Sequence, residues 1–193
     1  MAPAMGPASD VGGAEELPFW TIAELDFLVG DWRGEGMLND ERFDAVLVSR
    51  KMLEGEFLTY ELTTHRGPTV LHQERAMLSF DRKRSRLMGR FFSSGGLVEV
   101  AAGTMLWGQG GWPEFRFDVI QTENLKEGVR SRLSFRKAFD WEFYLTRELA
   151  LPEDPLLRPY HEIHLSRERR SDDRAPVDNH APRPRAPPSV TGG

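Results

Sequence analysis

The stretch from Leu25 to Gly36, LDFLVGDWRGEG, passes from a helical pattern directly into a strand that carries a tryptophan. Thr21, followed three residues later by a glutamate, has the spacing of a capping box and marks where the helix should begin. Leu25 and Leu28 share one helical face, and Gly30 can adopt the positive φ with which many helices end. We therefore expect a short amphipathic helix that closes one end of a β structure.

From Gly30 to Arg167 the hydrophobic pattern has a period of two. It is clearest in residues 114–120, 129–136 and 141–146, where large apolar side chains alternate with charged ones. This alternation is typical of antiparallel strands with one buried face. Further strands are predicted at Phe43–Leu53, Glu56–Thr64, Leu71–Phe80, Arg86–Phe92, Leu97–Trp107 and Tyr160–Arg167. Roughly nine or ten strands at near-regular spacing favour an up-and-down β-barrel, with a two-sheet sandwich as the alternative.

Composition limits the domain organisation and the class of partner. The chain has 193 residues, a formal net charge of −5 and no cysteine. Its length predicts one domain, residues 19–169, between disordered tails at residues 1–18 and 170–193, the second rich in proline and arginine. The acidic balance argues against a nucleic-acid partner, and the lack of cysteine excludes disulfides and thiolate metal sites. We predict no metal site.

The amino-terminal segment gives no targeting signal. Residues 1–18 lack the basic region and the apolar run of a secretory signal, and no apolar run approaches the ~20 residues of a membrane span. We expect a cytoplasmic protein without a membrane span. The oligomeric state is left open by the sequence, with a homodimer as one alternative.

Three segments in order, LVGDWRGEG at 28–36, LHQE at 71–74 and GLVEV at 96–100, carry a resemblance to a known group. They resemble the calycins of fatty-acid-binding-protein shape, and among these the chain is similar to the nitrobindin-like haem-binding barrels. It is also similar to an uncharacterised bacterial family of the same fold. The resemblance implies an all-β, ten-stranded antiparallel up-and-down barrel of calycin type, with one short N-terminal helix and a ligand cavity. Its structural signature residues are Gly30, Trp32, Gly34, Gly36 and Arg167, and it implies that the late arginine packs over the tryptophan.

The resemblance also implies haem as a candidate cofactor. Counting back from Arg167 to the usual place of the axial histidine leads to Tyr160, with His161 beside it. Alternation places His161 on the interior face with Ile163 and Leu165, where an imidazole could ligate haem iron. The competing interpretation, a histidine hydrogen-bonded inside the barrel, is the one that the sequence favours.

Four further residues are candidates for ligand binding. Arg147 shares the interior face of its strand, and its guanidinium would suit a ligand carboxylate unless it lies in water at the barrel end. His72 and Glu74 share a face and could form a polar corner of the cavity or an ion pair at its rim. Tyr160 completes an Arg-Pro-Tyr sequence that resembles the carboxylate-binding pair of fatty-acid-binding proteins.

These residues favour one function and leave two alternatives open. The favoured function is non-enzymatic binding of a small, largely apolar ligand, with a carboxylate as one candidate. The first alternative is a haem-binding, nitrobindin-like protein acting on nitrogen oxides or peroxynitrite through His161, and the second is a solid barrel that serves as an interaction module. Motifs for nucleotide binding and nucleophilic catalysis are absent from the sequence. We therefore predict no catalytic residues. If the protein is an enzyme, a haem-dependent peroxynitrite isomerase is the expected type.

Overall fold

The computed structural model describes residues 21–108 and 111–167, which form one closed antiparallel barrel. β1 pairs with both β2 and β10, so the sheet has no free edge. The all-β, ten-stranded up-and-down barrel is confirmed, and the sandwich alternative is wrong. The tails predicted at 1–18 and 170–193 lie outside the described residues. The strands are β1 Gly30–Leu38, β2 Glu41–Met52, β3 Phe57–Arg66, β4 Thr69–Asp81, β5 Arg86–Ser93, β6 Val98–Trp107, β7 Pro113–Glu123, β8 Arg130–Phe139, β9 Glu142–Leu151 and β10 Asp154–Ser166.

The helix before β1 is a 3₁₀ helix, Ile22–Leu28, and a single 3₁₀ turn, Leu53–Gly55, joins β2 to β3. Thr21 caps the first helix, but its hydroxyl oxygen accepts from the Ala23 N–H at 3.2 Å. The helix starts where predicted, but the Glu24 N–H does not bond to this hydroxyl as it would in a capping box. That N–H instead donates to the Thr21 carbonyl, the i to i+3 bond of a tighter turn.

The 3₁₀ helix, Trp32 and Arg167 close one end of the barrel, which we call the base. The Trp32 indole N–H donates to the Leu28 carbonyl at 2.8 Å, and the indole is 1% exposed. The Arg167 guanidinium carbon lies 4.7 Å from the centroid of the indole ring, and Nη1 donates to the Val29 carbonyl at 3.0 Å. A cation over an aromatic face and a buried hydrogen bond thus hold helix, first strand and last strand together.

Two glycines of β1 have different structural roles. A Cβ on Gly34 would lie 1.8 Å from the His164 carbonyl oxygen, so only glycine permits the close pairing of β1 with β10. Gly30 has φ +145° and directly follows Val29, the C-cap of the helix. The predicted positive φ at the end of the helix is therefore confirmed, and Gly30 is also the first residue of β1.

The last strand begins earlier than predicted. β10 starts at Asp154 rather than Tyr160 and contains Pro155 and Pro159. Its pairing with β9 shifts register between Asp154 and Arg158 and again between Pro159 and His161. Proline cannot donate to a ladder, and such irregular pairing accommodates it within the strand.

Candidate ligand cavity

A cavity of about 300 Å³ opens at the end of the barrel opposite the base, and we call this end the mouth. Strands that begin at the base reach the mouth at their carboxyl ends, and the alternate strands begin there. The packed aromatic core lies between the cavity and the base. A solid barrel, the second alternative, is therefore wrong. The apolar part of the cavity wall is formed by Leu38, Phe43, Leu71, Leu97, Leu125 and Leu149.

All five predicted ligand-binding residues line this cavity. Arg147 is buried at 8% exposure and Glu74 at 5%, whereas Tyr160 is 48% exposed and lies at the register shift of β10. His72 and His161 have intermediate exposure and come from β4 and β10, which lie on opposite sides of the barrel. The fold therefore gathers residues from three distant parts of the chain at one end.

His161 is an inward-facing imidazole on the middle of β10. Burial, together with the positive charge of Arg147 and the nearby His72, lowers its pKa to about 3, so the ring is neutral at neutral pH. Its ring packs edge-on against Phe43, with 6.3 Å between centroids. Within residues 21–108 and 111–167 the ring has no hydrogen-bond or ion-pair partner from the protein. A neutral imidazole without a partner can donate its nitrogen lone pair to a metal.

Two other described histidines, His72 and His164, lie in different surroundings from each other. Burial lowers the pKa of His72, which also lines the cavity. His164 faces outward, where Nε2 lies 2.7 Å from a Glu142 carboxylate oxygen and the ring stacks on Tyr144. In the described part of the chain, no three His, Cys, Asp or Glu residues are grouped so that they could hold a metal ion by themselves.

Arg147 lies between two buried carboxylates. Nη2 donates to Glu74 Oε2 and Nη1 to Glu99 Oε2, both at 2.5 Å, and Nη1 also donates to Ser131 Oγ at 3.0 Å. Burial by itself would lower the pKa of Arg147, but the two carboxylates raise it above its ordinary value. The interior placement follows the predicted alternation. In the structure the carboxylates that pair with Arg147 are two glutamates of the chain itself, and binding of a ligand carboxylate stays a prediction.

Sequence reasoning missed three members of this group. Glu99 and Ser131 contact Arg147, and the Tyr60 hydroxyl donates to Glu74 Oε1 at 2.5 Å. Burial and then Glu74 raise the pKa of Tyr60, so the phenol keeps its proton. Glu99 shares the inward face of β6 with Ala101 and Gly103, and this alternation is the signal that could have identified it.

Fold and cavity together define a ligand-binding barrel with polar groups at one end of a packed core. Comparison with known sequences assigns it more narrowly: the model of the THAP4-like, heme-binding beta-barrel domain matches residues 21–167. The chain belongs to this family. No curated protein sequence matches it significantly.

A solved structure confirms the fold. The chain is similar to the crystal structure of Rv2717c from M. tuberculosis, with a TM-score of 0.62 and 20% identity. The match covers 77% of this chain and 97% of that one. Within the described residues, the helices are all too short or too polar to cross a membrane.

Proposed function

We propose that the cavity binds haem and that His161 is the axial ligand to its iron. The single observation that carries the proposal is the neutral His161 ring, which faces the cavity without a partner among the described residues. Neutral imidazole is a common axial ligand of haem iron. The match to a haem-binding family supports the same cofactor.

The residues around His161 fit a large, flat, apolar group. Leucine side chains and Phe43 supply the wall, and Phe43 packs edge-on against the imidazole and limits its rotation. The cavity volume of about 300 Å³ is at the lower end of the range for small-molecule pockets, ~300–1,000 Å³. The cavity also opens to solvent, so a bound group can extend past the rim.

When bound through one imidazole, haem supplies an iron with a free coordination position for small molecules, and nitrogen oxides or peroxynitrite are the candidate substrates. His161 would hold the iron, the leucines would exclude water from the ring faces, and His72 would offer a hydrogen-bonding nitrogen from the opposite wall. The low pKa of His161 keeps its lone pair free well below neutral pH.

The test is a titration of the purified apoprotein with hemin, followed by the Soret absorption band. We expect the wild-type protein to form the band and His161→Ala to lose at least about tenfold in affinity, the scale of losing a ligand-orienting contact in metal sites. His164→Ala is the matched control, because His164 lies on the same strand but faces outward. Added imidazole should restore the band to the His161→Ala protein.

Two outcomes would contradict the proposal. Equal hemin affinity of the wild type and His161→Ala would show that His161 does not ligate the iron. The lack of a Soret band in the wild type would reject haem altogether. In that case the non-enzymatic binding of another small apolar ligand remains, and native mass spectrometry of the purified protein would detect it.

A further inference from the structure

The buried residues Glu74, Glu99 and Arg147 form a charged cluster at the inner end of the cavity. Each is followed, two positions farther along its strand toward the base, by a buried apolar residue: Ala76, Ala101 and Leu145. The cluster therefore lies where the cavity meets the packed core. Arg147 also rests over the Phe91 ring, with 5.8 Å between the guanidinium carbon and the ring centroid.

The cluster carries more negative than positive charge. Among the described residues that line the cavity, Arg147 is the sole lysine or arginine, and it faces two carboxylates. His72 and His161 add no charge at neutral pH, because burial lowers both pKa values. Tyr60 is neutral and donates its hydrogen to Glu74. The formal charge of the inner end is therefore −1.

Three of the five N–H groups of Arg147 already donate within the cluster, and both terminal nitrogens face a carboxylate. Its two terminal nitrogens donate to Glu74, Glu99 and Ser131. An anionic ligand group at this depth would have to displace one of these carboxylates or lie beside an uncompensated negative charge. Repulsion between a ligand anion and these carboxylates is strong at the inner end of the cavity, because water and salt screen buried charges poorly.

We propose that the Glu74–Arg147–Glu99 cluster is a specificity determinant that rejects anionic ligand groups from the inner end of the cavity. It accepts neutral groups, and it favours groups that can donate a hydrogen bond to a carboxylate oxygen. The inference concerns the apoprotein cavity and does not depend on whether haem is the natural ligand. For any amphiphilic ligand it predicts the orientation: the anionic end lies at the mouth.

The experiment uses three aromatic probes of nearly equal size that differ in charge: benzoate, benzyl alcohol and benzylamine. Each is titrated into isotopically labelled apoprotein at neutral pH, and dissociation constants are obtained from the amide shifts of the cavity-lining residues. We expect benzoate to bind about 10- to 100-fold more weakly than benzyl alcohol, as a nearby like charge requires, and benzylamine to bind at least as well as the alcohol.

Glu99→Gln removes one negative charge and keeps an amide oxygen for Arg147. We expect it to lower the ratio of the benzoate dissociation constant to the benzyl alcohol dissociation constant by about tenfold or more. Glu74→Gln should act in the same direction and serves as a second variant if the first folds poorly. Glu61→Gln is the control, because Glu61 lies on the outer face and pairs with Arg75. It changes the net charge equally and should leave the ratio of the two dissociation constants unchanged.

The ratio between probes separates specificity from a structural role, since general loosening of the barrel would weaken all three. Equal binding of benzoate and benzyl alcohol by the wild type would overturn the proposal. The same holds for an unchanged ratio in both glutamine variants, and for a lack of binding by all three probes at millimolar concentration. None of these results bears on hemin binding through His161, so the two proposals fail separately.

Discussion

The base and the mouth of this barrel are built from the same strands but filled with opposite chemistry. On β9, the inward-facing Phe143 and Leu145 belong to the core, and the next inward residue is Arg147. On β10, read from base to mouth, Leu165 and Ile163 are fully buried and the next inward residue is His161. On both strands the inward-facing positions continue from base to mouth, and the residues at these positions change from apolar to polar.

This difference separates the residues that stabilise the fold from the residues that line the ligand cavity. At the base, the interior is filled by apolar side chains under Trp32, and the helix and Arg167 cover it. At the mouth, one buried arginine is paired with two buried carboxylates, and two neutral imidazoles face the cavity. Substitutions at the base should therefore lower stability with little direct effect on ligands, and substitutions at the mouth should alter binding.

The largest effect is expected for Trp32→Ala at the base. The indole is almost completely buried and donates a hydrogen bond to the Leu28 carbonyl, so its loss leaves a large void and an unpaired acceptor. We expect the free energy of unfolding to fall by about 3–5 kcal/mol in urea denaturation. Trp107, which is 69% exposed, is the control, and Trp107→Ala should change stability by no more than about 0.5 kcal/mol. Similar losses in both variants would mean that Trp32 does not hold the base.

A somewhat smaller loss is expected for Arg147→Met at the mouth. This change leaves Glu74 and Glu99 buried without a cation, which costs about 3 kcal/mol, the lower end of the range for broken buried pairs because the guanidinium is 10% exposed. Adding Glu74→Gln and Glu99→Gln to the Arg147→Met protein removes both unpaired charges, and this triple variant should recover most of the lost stability in the same urea assay. Failure of the triple variant to recover would show that packing, not the unpaired charge, causes the loss.

The third prediction concerns pH, and near neutral pH its effect on stability is the smallest of the three. The pKa of His161 is about 3 in the folded protein, against 6.5 in the unfolded chain. As the pH falls below 6.5 the unfolded chain takes up a proton that the folded protein does not, so stability is lost between about pH 6.5 and 3. The slope reaches at most about 1.4 kcal/mol per pH unit, and His72 adds to it in the same direction.

Comparison of wild type with His161→Gln isolates this contribution. Urea denaturation at several pH values between about 4 and 7 should give a steeper loss of stability for the wild type. Parallel curves would contradict the low pKa of His161.

Most of the fold could be predicted from the sequence because it depends on local patterns. Alternation in residues 114–146 identified strands whose inner faces are the observed core, and the run around Trp32 marked the closed end. The errors come from non-local pairing. The start of β10 at Asp154 depends on pairing with β9 across two prolines and two register shifts, which no local pattern reveals.

The site was only partly predictable for the same reason. Alternation shows that Arg147, His161, His72 and Glu74 face inward, but it does not show which of them lie at the same height in the barrel. Glu99 is 48 residues from Arg147 in sequence, and their contact follows from the register of the strands between them, β7 and β8. The expectation of a ligand carboxylate arose because this glutamate was not recognised as the partner of Arg147.

The central claim is that ligands enter at the mouth and that the base is structural. The most direct test is a backbone amide shift map of the full chain titrated with zinc protoporphyrin, a diamagnetic relative of haem. The claim predicts shifts concentrated in residues 71–74, 97–99, 147–149 and 160–163, with residues 22–32 little changed. Shifts concentrated at the 3₁₀ helix and Trp32 instead would contradict it.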